Sequence, residues 1–186
     1  MKKIEAIIKP FFAGEDLRPW HQEAEERWLI FSRQGTDIDE FPAIKEHLHQ
    51  FRPILEPRPR DWEGSQWKGR KPGPYQWFEI QDVVDYFAEF ETPKIVWPDI
   101  SKLPRFSWDD SGAYLNNTGY VISRAEPWLL GVLQSRVLWF AISQIAQPLR
   151  ERAGLWQYRL IRQFVERLPI PAVSDNDQLQ LGLLAD

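Results

Sequence analysis

The chain has 186 residues, 43% hydrophobic and 27% charged, which suits one ordinary globular domain that buries a sizeable core. It contains no cysteine, so thiol catalysis, cysteine-bound zinc and iron–sulfur clusters are excluded. A formal net charge of -4 argues mildly against a nucleic-acid partner, whose affinity normally comes from phosphate neutralisation.

In chain order, the N-terminal stretch has two lysines but no long apolar core and no small-residue cleavage site, so it does not read as a signal peptide, and a cytoplasmic protein with no membrane partner is expected. Ile4 to Phe12 is apolar but broken by Pro10, and the charge up to Arg27 is acidic on balance. Trp28-Leu-Ile-Phe31 is a compact apolar run of the kind that forms a buried strand. Asp37 or Asp39 is placed to cap a helix with Pro42 in its first turn, and Phe41, Ile44, Leu48 and Phe51 share one helical face.

Residues 52–77 change character. They are rich in proline and glycine, with six cations against three carboxylates, a local balance of +3, and Trp62, Trp67, Tyr75 and Trp77 interleaved. Such a loop is too interrupted for a regular element, and its aromatic content argues against disorder.

Ile80, Val83, Val84, Phe87 and Phe90 fit a helical face that Pro93 ends, and Lys94-Ile-Val-Trp97 reads as a second strand. Phe106 to Trp108 and Tyr114 to Ile122, joined by Asp110-Ser-Gly112, read as a hairpin broken at Asn116-Asn117. The last third predicts a helix from Leu129 to Ile145 and another from Trp156 to Leu168. Six arginines and two glutamates between Arg136 and Arg167 make a second basic zone of +4, and residues 172–186 read as a tail or the start of a further element.

Catalytic patterns are sparse. His47 and His49 lie two apart, which sends them to different helical faces, and His21 stands alone. No G-x-S-x-G elbow, P-loop or G-x-G-x-x-G is present. Asp82 with Asp85, and Asp109 with Asp110, are carboxylate pairs, and Glu91-Thr-Pro-Lys94 imitates a metal-dependent nuclease motif. Its proline suits a helix stop beside a strand better. The basic loop, the Asn116-Asn117 amides and the arginine-rich end carry the chemistry for phosphates, base edges and stacking, or they are solvated surface.

The ordered motifs go further. Arg27-Trp-Leu-Ile-Phe-Ser-Arg33 with Gly35, Phe41-Pro-Ala-Ile-Lys-Glu-His-Leu48, Leu55-Glu-Pro-Arg58 and Gly69-Arg-Lys-Pro-Gly-Pro-Tyr-Gln-Trp77 come first. Lys94-Ile-Val-Trp-Pro-Asp99, Pro104-Arg-Phe106, Asn116-Asn-Thr118, Leu129-Leu-Gly-Val-Leu-Gln-Ser135 and Leu168-Pro-Ile-Pro171 follow. Together the series resembles the TaqI-like C-terminal specificity domain, the target-recognition part of adenine-specific DNA methyltransferases and fused restriction-modification enzymes. The resemblance covers residues 27–171. It makes residues 1–26 a lead-in to a catalytic domain that the chain lacks, and residues 172–186 a tail.

The resemblance implies recognition of double-stranded DNA, no catalysis, no cofactor in this chain, and a methyltransferase catalytic domain or subunit as partner. That partner would bind S-adenosylmethionine and carry an Asn/Asp-Pro-Pro-Tyr/Phe motif, which is absent here. The chain then looks like the recognition half alone: a shortened form, a split subunit or a remnant gene. The negative net charge suggests weak binding in isolation.

The expected fold is α+β, a small, mostly antiparallel sheet packed against several helices, with the long Pro/Gly-rich basic loop outside it. Arg58, Arg60, Lys68, Arg70 and Lys71 are the expected contacts to phosphates or base edges, with Trp67 and Tyr75 holding the loop or touching a base. Arg105, Asn116 and Asn117 are the next candidates. A module that docks on a catalytic subunit without DNA affinity of its own is the alternative.

Overall fold

A computed structural model describes residues 2–23 and 25–183. The chain opens with α1 (Lys2–Glu5), β1 (Ile8–Phe12), β2 (Trp28–Ile30), α2 (Pro42–His49) and α3 (Arg52–Leu55). It continues through β3 (Lys94–Pro98), β4 (Ile100–Ser101), β5 (Ser107–Asp109), β6 (Tyr114–Leu115) and β7 (Gly119–Ser123). Helices α4 (Pro127–Leu133) and α5 (Arg136–Ile145) precede strands β8 (Gln147–Arg152) and β9 (Leu155–Arg159), then α6 (Arg162–Val165) and α7 (Asp175–Leu183). The fold is α+β as expected, but its strands form three small three-stranded sheets, mostly antiparallel, rather than one. The chain divides into two compact units, Met1–Lys9 with Leu29–Asp85 and Pro10–Trp28 with Tyr86–Asp186.

In the first unit, Pro42 occupies the first turn of α2, as predicted. The aspartate cap sits one step earlier: Asp37 accepts from Asp39 N at 3.1 Å and closes a 3-10 turn over Ile38–Glu40. The helix predicted from Ile80 does not form. Those residues make bends and turns up to Asp85, where the first unit ends; the second unit continues with a 3-10 turn over Phe87–Glu91, and Val83 and Tyr86 remain exposed. The segment mixes β-branched and aspartate residues of low helix propensity, and of the predicted apolar face only Phe90 is buried, so little offsets the cost of nucleating a helix.

The second unit is built on β3, buried along its whole length and hydrogen-bonded on both edges. Strand β5 pairs with one edge and β7 with the other, so the predicted 106–122 hairpin does not exist as such. The most apolar strand takes the centre, and the two predicted hairpin arms flank it. Tyr114 and Leu115 pair instead with Phe11 and Phe12, in parallel. Ile95, Trp97 and Phe106 meet Leu130, Leu133, Ile142 and Leu160 in the core of this unit.

The register sets Lys94 opposite Asp109, and their charges pair with side chains 0% and 2% exposed. Lys94 Nζ also donates to Phe90 O at 2.5 Å, and Asp109 accepts from Ser111 N at 3.1 Å and Ser111 Oγ at 2.5 Å. The nuclease-like lysine is therefore a sheet-internal counter-ion.

The helix predicted over 129–145 breaks at Ser135, whose Oγ accepts from Leu138 N at 3.1 Å and starts α5. The preceding Gln134 is buried, with Oε1 accepting from Phe106 N at 3.2 Å. The break gives Ser135 Oγ a cap bond and sits beside the buried Gln134, whose Oε1 is satisfied while its Nε2 is buried without a partner. Residues 175–183, within the stretch read as a tail or the start of a further element, form α7, which packs on α4.

The largest departure is at 156–168, predicted as a helix. Residues 155–159 are strand β9, and only Arg162–Val165 is helical. Ala153 and Gly154 both take positive φ, 53° and 73°, which is the geometry of a two-residue type I′ hairpin. That turn favours Asn at its first position, so Ala153→Asn is expected to stabilise the protein by roughly 0.5–1 kcal/mol. A rise of the thermal unfolding midpoint checks it; a fall sinks the assignment of the turn.

Candidate nucleic-acid interface

The loop predicted to carry cations is held by hydrogen bonds rather than by regular structure. Arg58 N donates to Arg70 O and Arg70 N to Glu56 O, both at 3.0 Å, so its two arms run side by side. The Arg70 guanidinium reaches back into its own unit: Nε donates to Leu55 O at 2.6 Å, Nη1 to Glu79 O at 2.6 Å, and Nη2 to Trp77 O at 2.9 Å and Gln76 O at 3.1 Å. Four of its five N–H groups are thereby used, and its carbon lies 4.5 Å from the centre of the Tyr75 ring. Tyr75 is 4% exposed and donates its hydroxyl to Lys71 O.

Arg70 and Tyr75 therefore lock the loop and do not project from it. Glu79, a buried carboxylate that composition did not flag, completes the lock by accepting from Gly35 N at 2.6 Å and Gln76 N at 2.7 Å. Trp67 is half-buried and donates from Nε1 to Glu56 O at 3.1 Å, which makes it a loop-holding residue as well. Trp77 is buried, with the Arg52 guanidinium over its ring.

The remaining loop cations behave differently. Arg58, Arg60, Lys68 and Lys71 are exposed, and among the described residues none makes an ion pair. Glu56, one carboxylate within reach of Arg58 in sequence, is paired with Arg52 at 2.8 Å instead.

In the second unit, Arg105 turns inward. Its Nη2 donates to Leu17 O, Nε is buried without a partner, and burial, followed by the charge of Arg18, lowers its pKa below the ordinary arginine value. It braces residues 15–17 rather than facing solvent. Asn116 makes a turn, its Oδ1 accepting from Thr118 Oγ1 at 2.6 Å and Thr118 N at 3.1 Å. Asn117 next to it is exposed.

One group of side chains escaped the residue-by-residue prediction. In β8–β9 the register pairs Arg150 with Gln157 and Arg152 with Leu155, and sets Gln147 opposite Arg159. Since side chains alternate across a strand, Arg150, Arg152, Gln157 and Arg159 share one face. The other face carries Tyr158, whose ring packs edge-on against Trp139 at 5.8 Å. All six residues of β8 are exposed, and Arg150 Nε donates to Gln157 Oε1 at 2.8 Å. The second basic zone in the sequence is the available signal, but Arg150 and Arg152 fall between the two predicted helices and Gln157 and Arg159 inside the second, so the sequence does not show their shared face.

Among the described residues, no group of three or more metal-ligating side chains converges, and no single helix is long and apolar enough to cross a membrane. His49 packs edge-on against Trp77, and His47 against Phe51.

Comparison with solved structures finds the Type IIL restriction-modification enzyme MmeI, determined in complex with DNA, with a TM-score of 0.55 at 18% identity. The match covers 97% of this chain and 22% of that one, so the chain spans about a fifth of the enzyme it resembles in fold. Residues 9–170 match the TaqI-like C-terminal specificity domain, nearly the whole described chain and the same family that the ordered motifs resemble. With that match across both units, the chain belongs to the family of TaqI-like C-terminal specificity domains.

Proposed function

We propose that this chain recognises double-stranded DNA for an adenine-specific methyltransferase or a fused restriction-modification enzyme, and that a separate catalytic domain or subunit supplies the chemistry. The observation that carries this reading is the arginine face of β8–β9. Beyond the short β4, which pairs with β9 only at Tyr158 and Arg159, the hairpin is a two-stranded ribbon. Such a ribbon fits the major groove, and arginine and glutamine there match guanine and adenine edges. The exposed Arg58, Arg60, Lys68 and Lys71 of the other unit supply phosphate contacts. Family membership supports the assignment, as does the DNA complex solved for MmeI. The net charge of -4 supports weak binding by the chain alone, completed by its catalytic partner.

The test is fluorescence anisotropy against a randomised duplex pool at low and moderate salt, with sequencing of the bound fraction. A short enriched motif is expected. Arg152→Ala should relax that motif at one position, costing about 1–3 kcal/mol there. An unchanged motif and unchanged affinity in the Arg150/Arg152/Arg159 triple alanine variant would remove the hairpin from the interface. Val137 and Phe140, 74% and 66% exposed on α5, favour a second reading in which the chain docks on a catalytic protein without binding DNA itself. Failure to bind at either salt concentration selects that reading.

A further inference from the structure

The first unit holds a cleft of about 620 Å³ whose walls include Pro53, Trp62 and Trp67, with Arg52, Glu56 and Lys68 at its rim. Its size falls in the range of small-molecule sites, roughly 300–1,000 Å³. Both indoles are fixed before any ligand arrives. Trp67 is tied through Nε1 to Glu56 O at 3.1 Å, and Trp62 meets it edge-on at 5.0 Å and 67°. Each ring rests against a glycine. A Cβ on Gly69 would lie 2.7 Å from Trp67 Nε1 and 2.1 Å from Glu56 O, and one on Gly64 would lie 2.4 Å from Trp62 Cζ2. Trp62 still leaves 43% of its surface exposed.

The rim is cationic where it is free. Glu56 neutralises Arg52, whereas Lys68 is exposed and makes no ion pair among the described residues. Arg58 and Arg60 lie on the same loop, balanced in number by the exposed Asp61 and Glu63 that flank Trp62, and none of these four charged residues lines the cleft. Pre-set aromatic faces next to an unpaired lysine are the chemistry that holds an unstacked nucleobase and its phosphate. A proline-rich peptide also fits aromatic grooves but has no use for the cation.

We infer that this cleft binds a single unpaired nucleotide, its base stacked on Trp62 and its phosphate on Lys68. The inference rests on the DNA reading above and adds a preference for a displaced base over a paired one. Stacking of one base on an aromatic side chain is worth roughly a five- to 150-fold factor in affinity.

The test compares a fully paired duplex with the same duplex carrying one bulged 2-aminopurine. The bulged duplex is expected to bind about fivefold or more tightly, with the 2-aminopurine emission quenched. Trp62→Ala should abolish both the preference and the quench while the affinity for the paired duplex is kept. Trp62→Phe, which retains a stacking face, should restore most of both, and circular dichroism confirms that each variant is folded. Equal binding of the two duplexes, or a preference that survives in Trp62→Ala, overturns the inference and leaves the DNA reading standing. Binding to neither duplex overturns both. Displacement of the bulged base by a proline-rich peptide that binds the cleft more tightly assigns the cleft to a peptide and overturns it too.

Discussion

Replacing Lys94 with alanine is expected to destabilise the unit that contains it by about 3–5 kcal/mol, among the largest effects of any single substitution in this protein. Lys94 and Asp109 face each other across β3 and β5 with almost no solvent access. Removing the ammonium leaves a carboxylate buried without its counter-charge. The two Ser111 hydrogen bonds satisfy part of that carboxylate but add no positive charge. Against a total stability of about 5–15 kcal/mol, the loss should lower the urea midpoint by more than 1 M. Lys94→Met restores volume but not charge, and should be nearly as damaging. Combining it with Asp109→Leu should recover most of the loss, because the penalty belongs to the orphaned charge rather than to the missing contact. A midpoint for Lys94→Ala within error of the parent protein would show that water reaches this pair.

Arg70→Ala is expected to cost about 2–4 kcal/mol in the other unit and to free the 52–77 loop. Four hydrogen bonds from one guanidinium to four carbonyls fix the loop ends, and no neighbouring donor replaces them. Arg70→Lys should recover less than half, since an ammonium cannot span the same fork of acceptors. Hydrogen exchange reads the effect directly: the amides of Arg58 and Arg70, bonded between the loop arms, should lose protection together. Arg58→Ala is the contrast. It should leave stability within about 0.5 kcal/mol and lower the salt slope of DNA binding by about 0.9, the signature of one phosphate contact. If Arg70→Ala lowered the slope and spared the protection, the two arginines would have exchanged roles.

These two residues show what the sequence carries and what it hides. The α+β class, strand β3, the Pro42 start of α2 and the half-irregular 52–77 loop are all legible, because each depends on local chemistry: an apolar run, a proline, a cluster of breakers. Arg58 and Arg70 are indistinguishable in such a reading, both cations among prolines and glycines. They are separated by carbonyls at Leu55, Gln76, Trp77 and Glu79 that converge only once the loop has closed. The β8–β9 hairpin was hidden by an ambiguity of period. Trp156, Leu160, Ile161, Phe164 and Leu168 satisfy a helical spacing, and only the pair of positive φ angles at Ala153 and Gly154 decides for strands. Gly154 was the available signal, weak because its partner is alanine and not asparagine. At Ser135 the sequence offered a cap inside an apolar run, and the apolar run was the stronger signal.

The division of the chain into two units has a consequence for inheritance. The loop cations lie at 58–71 in one unit and the arginine face at 150–159 in the other, with all of β3 to α5 encoded between them. A single genetic crossover in that interval leaves both elements whole and joins the loop of one ancestor to the hairpin of another. Homologous exchange can thus make new pairings of the two without redesigning either, whereas point mutation must alter a face one side chain at a time.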